Sequence, residues 1–271
     1  MKLGETILKA EHISIRYNRL ILRDINFEIK DIVREGSTTG QVCSVIGKSG
    51  VGKTQLFKII AGLQQPTSGQ VTAFGKPVKP GEIGVVAQNY PLLPHRTLLG
   101  NLKAVTNDKA HIEYYLQEFG LTEHKNKFPN ELSGGQRQRV AIIQQLLTTS
   151  SSGKIILMDE PFSGLDYVNK QKLCEIITKV ANFNELNTII IISHDIESSL
   201  LVSDSAWIIG HEFGLNSDKI EEAGELEQIE GAVIIKQYNL AEMGLAWQPG
   251  LGNNLLFNNL VGDIKQLFKT I

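Results

Sequence analysis

Gly47-Lys48-Ser49-Gly50-Val51-Gly52-Lys53-Thr54 follows the mostly apolar run Val42 to Ile46 and precedes a helix-like segment, Gln55 to Ala61. Strand, glycine turn and helix in that order are the setting of a phosphate-binding loop. The glycines let successive backbone N–H groups turn toward one anion, and the N-terminus of the helix adds partial positive charge. Lys53 then reaches the terminal phosphates, and the Thr54 hydroxyl is a Mg²⁺ ligand. Kinases, GTPases and transport ATPases all carry this pattern, so the rest of the chain must choose among them.

Upstream, residues 7 to 29 alternate apolar and polar positions, with Ile13, Ile15 and Tyr17 and then Ile25, Phe27 and Ile29. Two antiparallel strands joined near Asn18 and Arg19 are expected. The polar stretch between Lys30 and Gln41 reads as a long surface loop. Downstream, Gln70 to Phe74 and Ile83 to Ala87 read as short strands, whereas Thr97 to Val105 and Lys109 to Phe119 have helical spacing. Ser133 to Leu147 is a longer helical pattern, with Val140, Ile143 and Leu147 on one face and Arg137, Gln138 and Gln145 elsewhere. A Ser-rich turn at 148 to 153 leads into the apolar strand Ile155 to Met158, a helix over Val168 to Val180, the apolar strand Thr188 to Ile192 and a short helix over Ile196 to Val202. Strands alternating with helices predict an α/β fold around a parallel, doubly covered sheet.

That regularity ends beyond Gly210. Residues 217 to 230 are acidic and loop-like, Ala232 to Tyr238 reads as a strand, and Leu255 to Phe268 has an amphipathic helical pattern. The expected organisation is a core over 1–211, a helical subdomain over about 89–147 within it, and a C-terminal appendage over 212–271.

The chain has 271 residues, of which 42% are hydrophobic and 21% charged, with a formal charge of −2. That balance gives no general electrostatic reason to expect nucleic acid as a partner. Cys43 and Cys174 lack metal-ligand spacing and read as buried thiols in a reducing compartment, with no disulfide. No run approaches the ~18 apolar residues of a membrane helix. A role at a membrane would therefore require other chains to span it.

Nucleotide chemistry also needs an acidic group, and strand ends are where open α/β sheets put their ligand groups. Asp159, closing Ile155 to Met158, is the expected Mg²⁺ partner, and Glu160 beside it is suited to orient or deprotonate an attacking water. In Leu132-Ser133-Gly134-Gly135-Gln136, Ser133 and Gln136 have capping-box spacing. Helix capping alone does not explain two glycines in a first turn, each costing about 1 kcal/mol relative to Ala. They expose N–H groups at a positive helix end, a second candidate phosphate cradle.

With these motifs the chain resembles the nucleotide-binding subunit of the ATP-binding-cassette (ABC) family, whose signature is Leu-Ser-Gly-Gly-Gln; the resemblance runs from about Ile7 to Gly210. It implies a P-loop NTPase core with a parallel sheet, an N-terminal antiparallel β subdomain and a helical signature subdomain. Tyr17 then matches the aromatic that stacks on adenine. Gln88 matches the glutamine that contacts Mg²⁺ and couples to a membrane partner. Ser163-Gly164-Leu165-Asp166 matches the loop that crosses between monomers, and His194 the histidine that touches the γ-phosphate. The resemblance further implies that ATP bound to residues 47 to 54 of one copy is closed by Ser133, Gly134, Gly135 and Gln136 of another, in a head-to-tail dimer. Glu160, His194 and Lys53 would be catalytic, with Thr54, Gln88 and Asp159 around Mg²⁺.

Three positions depart from the family pattern: Gln55 replaces the usual hydroxyl residue, the loop after Lys30 is long, and Ile143-Gln144 stands where Ala-Arg is common. None removes a catalytic group, so an active ATPase is expected. Pro91 to Thr97 together with Pro161-Phe162-Ser163 is similar to importers of the nitrate, sulfonate and taurine group. The expected role is the ATP-hydrolysing subunit of such a transporter, on the cytoplasmic face of the cell membrane. Its partners would be a second copy or a related ABC subunit and separate permease chains; the alternative is a soluble non-transport ABC ATPase.

Overall fold

The computed structural model describes residues 2–33, 40–148, 155–183, 187–215, 226–248 and 250–271. Most of the expected loop after Lys30, nearly all of the expected Ser-rich turn and the larger part of the acidic stretch lie outside the described residues. In chain order the elements are β1 (Lys2–Arg16), β2 (Leu20–Val33), β3 (Gln41–Gly47), α1 (Lys53–Ile60), β4 (Ser68–Ala73), β5 (Lys76–Pro77) and β6 (Gly84–Val86). There follow α2 (Leu98–Lys103), α3 (Lys109–Glu118), α4 (Gly134–Leu147), β7 (Ile155–Asp159), α5 (Tyr167–Asn182), β8 (Thr188–Ser193) and α6 (Ile196–Val202). The chain closes with β9 (Ser205–Gly210), β10 (Phe213–Leu215), β11 (Leu226–Gln228), β12 (Val233–Asn239) and α7 (Leu255–Thr270).

The antiparallel sheet has the order β2-β1-β4-β5, with Ile13 opposite Ile25 and Ala10 opposite Phe27. β2 runs on through Val33 rather than ending at Lys30, because Ile32 is buried and pairs with Leu3. The central sheet has the order β12-β9-β3-β8-β7-β6. Its strands are parallel except β12, which runs antiparallel to β9 at the edge. Both faces are covered, so its inner strands are largely apolar and alternate residues serve different cores. On β7, Ile155 and Leu157 join the core shared with α1 and the antiparallel sheet, while Ile156 and Met158 join the core shared with α4 and α5. Ile190 and Ile192 on β8 face the first, and Ile189 and Ile191 the second.

Two features differ from the pattern read in the sequence. Gln138 on α4 is buried, and its side-chain amide donates to the Pro161 carbonyl at 3.0 Å, which ties this helix to the turn after Glu160. Ser205–Gly210 forms the inner strand β9, against which Val233–Asn239 pairs. The C-terminal residues also meet the antiparallel sheet: Ala232 exchanges backbone hydrogen bonds with Ile21 and Arg23, and Glu230 accepts from the Leu20 N–H at 2.9 Å.

A third core joins α6, β9 and α7 through Ile46, Leu200, Ile208, Phe257 and Ile264. Ile46 immediately precedes the glycine loop, so α7 packs beneath the strand that carries it. Ile264 is fully buried, and Ile264→Ala is expected to cost about 2–5 kcal/mol of unfolding free energy. Urea denaturation measures it; a loss below about 0.5 kcal/mol would mean that α7 does not pack there in solution.

Candidate functional site

β3 and α1 carry the glycine loop, and its shape depends on residues without side chains. A Cβ on Gly47 would lie 2.8 Å from the Ile209 carbonyl oxygen and 2.5 Å from Ile209 Cγ2. Gly52 caps α1 with φ +105°, a left-handed conformation that glycine alone adopts cheaply. Gln55 and Leu56 both donate to the Gly52 carbonyl, and the amides ahead of them stand at a helix N-terminus, the end that favours an anion.

Lys53 leaves the first turn of α1 and is only 5% exposed. Its ammonium donates to the carbonyls of Gly47 at 2.8 Å and Lys48 at 2.9 Å, and pairs with Glu160 Oε1 at 3.2 Å. Glu160 follows β7 with φ +48°, a strained value for a residue with a side chain, and its N–H continues the parallel ladder by donating to the Ile192 carbonyl at 2.8 Å. Its other oxygen, Oε2, lies 2.7 Å from His194 Nδ1 and accepts from the His194 N–H at 3.1 Å and the Ser193 hydroxyl at 3.2 Å. β8 thus delivers Ser193 and His194 against a carboxylate delivered by its neighbour β7.

A cleft of about 510 Å³ opens over these groups, lined by Tyr17, Ile21, Ser49, Gly50, Gly52, Lys53, Thr54, Gln55, Gln88, Glu160, Ser163 and His194. Residues far apart in sequence therefore meet around one cleft. The family model described as ABC transporter matches residues 31–163. The nitrate import ATP-binding protein NrtD of Synechococcus elongatus is 35% identical over 196 residues, which are 68% of this chain and 67% of that protein. The chain belongs to the ABC transporter ATP-binding family. The spermidine/putrescine import ATP-binding protein PotA of Spiroplasma citri is 33% identical over 237 residues, 82% of this chain but only 63% of its own length. The solved structure of cbiO1 from Clostridium perfringens, part of the ABC transporter complex cbiONQ, shares the fold with a TM-score of 0.69 at 24% identity, covering 97% of this chain and all of that one.

Other expected site residues of this ABC chain lie around the cleft or away from it. The Tyr17 hydroxyl donates to Gln55 Oε1 at 3.1 Å and accepts from the Gln64 side-chain amide, so Gln55, where the family usually has a hydroxyl, orients the aromatic at the cleft mouth. Ser133 to Gln136 do not line the cleft of their own chain. Ser133 caps α4 and forms the capping box with Gln136, at 3.2 and 2.8 Å, while a Cβ on Gly134 or Gly135 would meet nothing within 4 Å. Asp166 caps α5 by accepting from the Asn169 N–H at 2.9 Å, a hydrogen bond that lowers its pKa. Lys48 is not among the residues lining the cleft; its ammonium donates to the main-chain oxygen of Ile271. Val51, expected on the nucleotide, is 5% exposed and packs in the core beside α1. Ser193 and Gln64 escape sequence reasoning, since their roles depend on neighbours brought in by β7 and β1; adjacency to His194 was the one available hint for Ser193.

Asp159 meets the chemistry of a metal site. Its Oδ1 is buried and accepts no hydrogen bond, a costly state that a cation would relieve. Burial raises its pKa, the Glu160 charge raises it further, and Lys53 opposes both. Thr54 and Gln88 line the cleft and add neutral oxygen donors, the hard ligands Mg²⁺ takes together with substrate phosphates.

Because the folded-state pKa of Asp159 lies above its unfolded value, folding takes up protons and stability from this group rises as pH falls through the folded value. Asp159→Asn removes the penalty of the buried charge. The variant is expected to melt above the parent at neutral pH without Mg²⁺, with the gap closing as pH falls toward the ordinary carboxylate range. Thermal melts across pH check this, and a gap that widens toward acid would contradict it.

Proposed function

We propose that this chain is the ATP-hydrolysing subunit of an importer, with residues 1–211 as the ATPase domain and 212–271 as an appendage whose β12 supplies the edge strand of that domain's central sheet. The observation carrying this reading is the Glu160 carboxylate, held between Lys53 and His194 at the wall of the glycine-loop cleft. Lys53 and His194 are each within hydrogen-bond reach of that carboxylate, and all three are groups of the sort that hydrolysis of a phosphoanhydride requires.

In this mechanism, nucleotide phosphates displace the Glu160 carboxylate and the Gly47 and Lys48 carbonyls from the Lys53 ammonium. Release of Lys53 leaves Glu160 Oε1 free to accept a proton from water, while Oε2 keeps its donors from Ser193 and His194. The water attacks the γ-phosphorus in line, and the bond to the bridging oxygen of ADP breaks. Lys53 neutralises charge on the transferring group. His194 donates from Nδ1 to Glu160 and from Nε2 to a γ-phosphate oxygen only when both nitrogens carry protons. Mg²⁺ held by Thr54, Gln88 and Asp159 would supply Lewis-acid charge neutralisation at the phosphates.

The separation of Ser133–Gln136 from the cleft supports a head-to-tail dimer in which a second copy, or a related subunit, completes each site. Tyr17 would stack on the base, and Asp166 would lie at the crossing between copies. An importer role is supported by the relatives named as nitrate and spermidine/putrescine import proteins. Among the described residues no helix is long and apolar enough to cross a membrane, so permease chains would provide the path, with this subunit on the cytoplasmic face.

Glu160→Gln is expected to keep ATP affinity within about threefold while steady phosphate release falls by about 100-fold or more, the scale of losing a general base. Equilibrium nucleotide binding and a phosphate-release assay measure both; unchanged release would sink the assignment. Specific activity of the parent should also rise with chain concentration, because each site needs two chains.

A further inference from the structure

The glycine loop is held from two sides. From the cleft, Lys53 donates to the carbonyls of Gly47 and Lys48. Away from it, the Lys48 ammonium donates to the main-chain oxygen of Ile271, at the end of α7. Ile271 is seated there by a glycine: a Cβ on Gly210 would lie 2.7 Å from Ile271 Cδ1 and 3.0 Å from its Cβ. Gly210 closes β9, whose preceding residue, Ile209, is the one that leaves no room for a side chain at Gly47. Lys48, Gly50, Val51, Gly210 and Ile271 line one cavity of about 340 Å³ behind the loop. α7 itself is anchored by Phe257 and Ile264, both fully buried, and Leu267, Phe268 and Ile271 pack against the same core.

We propose that Lys48 and Ile271 form a positioning contact through which α7 holds the glycine loop in its phosphate-accepting shape. The proposal rests on the reading of Gly47–Thr54 as the nucleotide site and adds a role for the C-terminal helix and for a lysine that takes no direct part in phosphate binding. The brace behind the loop stays when phosphate takes over Lys53, so the loop loses less freedom as the anion enters and affinity rises by preorganisation without a new contact to the nucleotide. The coupling is reciprocal: whatever α7 does for the nucleotide, the nucleotide does for the docking of α7.

The test is a double-mutant cycle in the full chain, reading ATP affinity with Mg²⁺. Lys48→Met removes the donor, and Gly210→Val crowds Ile271 at its Cβ, 3.0 Å from where the added Cβ would lie, as well as at Cδ1; Ile271→Ala serves as a second, gentler release of the same seat. Each is expected to weaken ATP binding by roughly fivefold, the low end for two coupled sites because Lys48 is exposed. Lys48→Met combined with Gly210→Val should be no weaker than either alone, Lys48→Arg should restore binding, and ATP should slow amide exchange over residues 267–270 of the parent. Additive losses, as from a lysine that touches phosphate directly, would overturn the proposal, as would parent-like affinity in all three single variants. If the parent chain binds no ATP, the nucleotide-site reading fails first and the positioning role falls with it.

Discussion

A buried ammonium governs this structure. Lys53 is almost fully withdrawn from water, and an unpaired charge there would cost several kcal/mol. Its compensation comes from the carbonyls of Gly47 and Lys48 and from the Glu160 carboxylate, each supplied by a different part of the chain. The carbonyls are available because glycines let the loop turn back on itself, and the carboxylate because β7 ends where β3 ends. Phosphate oxygens are stronger partners for an ammonium than carbonyls are, so the proposed entry of nucleotide would shift this balance.

Glu160 shows how the sheet converts register into chemistry. Its N–H extends the β7–β8 ladder by one step, and its left-handed φ then turns the chain out of the sheet. Across that last step stand Ser193 and His194, which hold the same oxygen. The isoleucines of β8 and the apolar run of β7 are locked between two cores, so a shift of one residue would exchange their faces. Packing several residues away from the cleft therefore fixes the distance between carboxylate and imidazole.

Much of this was legible in the sequence. Strands buried on both faces announce themselves as unbroken apolar runs, as at Ile155–Met158 and Thr188–Ile192, and glycine loops have fixed spacing around a strand and a helix. Less legible were features that depend on partners distant in the chain. Ser205–Gly210 is the strand the sequence reading passed over, and the place of Val233–Asn239 beside it depends on which sheet edge remained open. Gln138 is polar and reads as solvent-facing, yet the Pro161 carbonyl pairs with it inside the protein. Lys48 stands within the phosphate motif, and only the arrival of residue 271 decides where its charge goes. Ser133 and Gln136 satisfy the capping reading within one chain, and the two glycines between them face open space, which the capping reading alone does not explain.

The antiparallel pairing of β12 with β9 has a bearing on solubility. Without β12, the backbone groups of Ser205–Gly210 on that side would form the free border of a six-residue, largely apolar strand, a template for cross-chain pairing and aggregation. β12 takes that border and presents Lys236 and Gln237, both exposed, opposite Ile208 and Trp207. Trimming the chain after Gly210, where the motif-bearing part ends, would thus keep every nucleotide motif in the sequence yet bare this border and remove the α7 core beneath the glycine loop, yielding a self-associating protein.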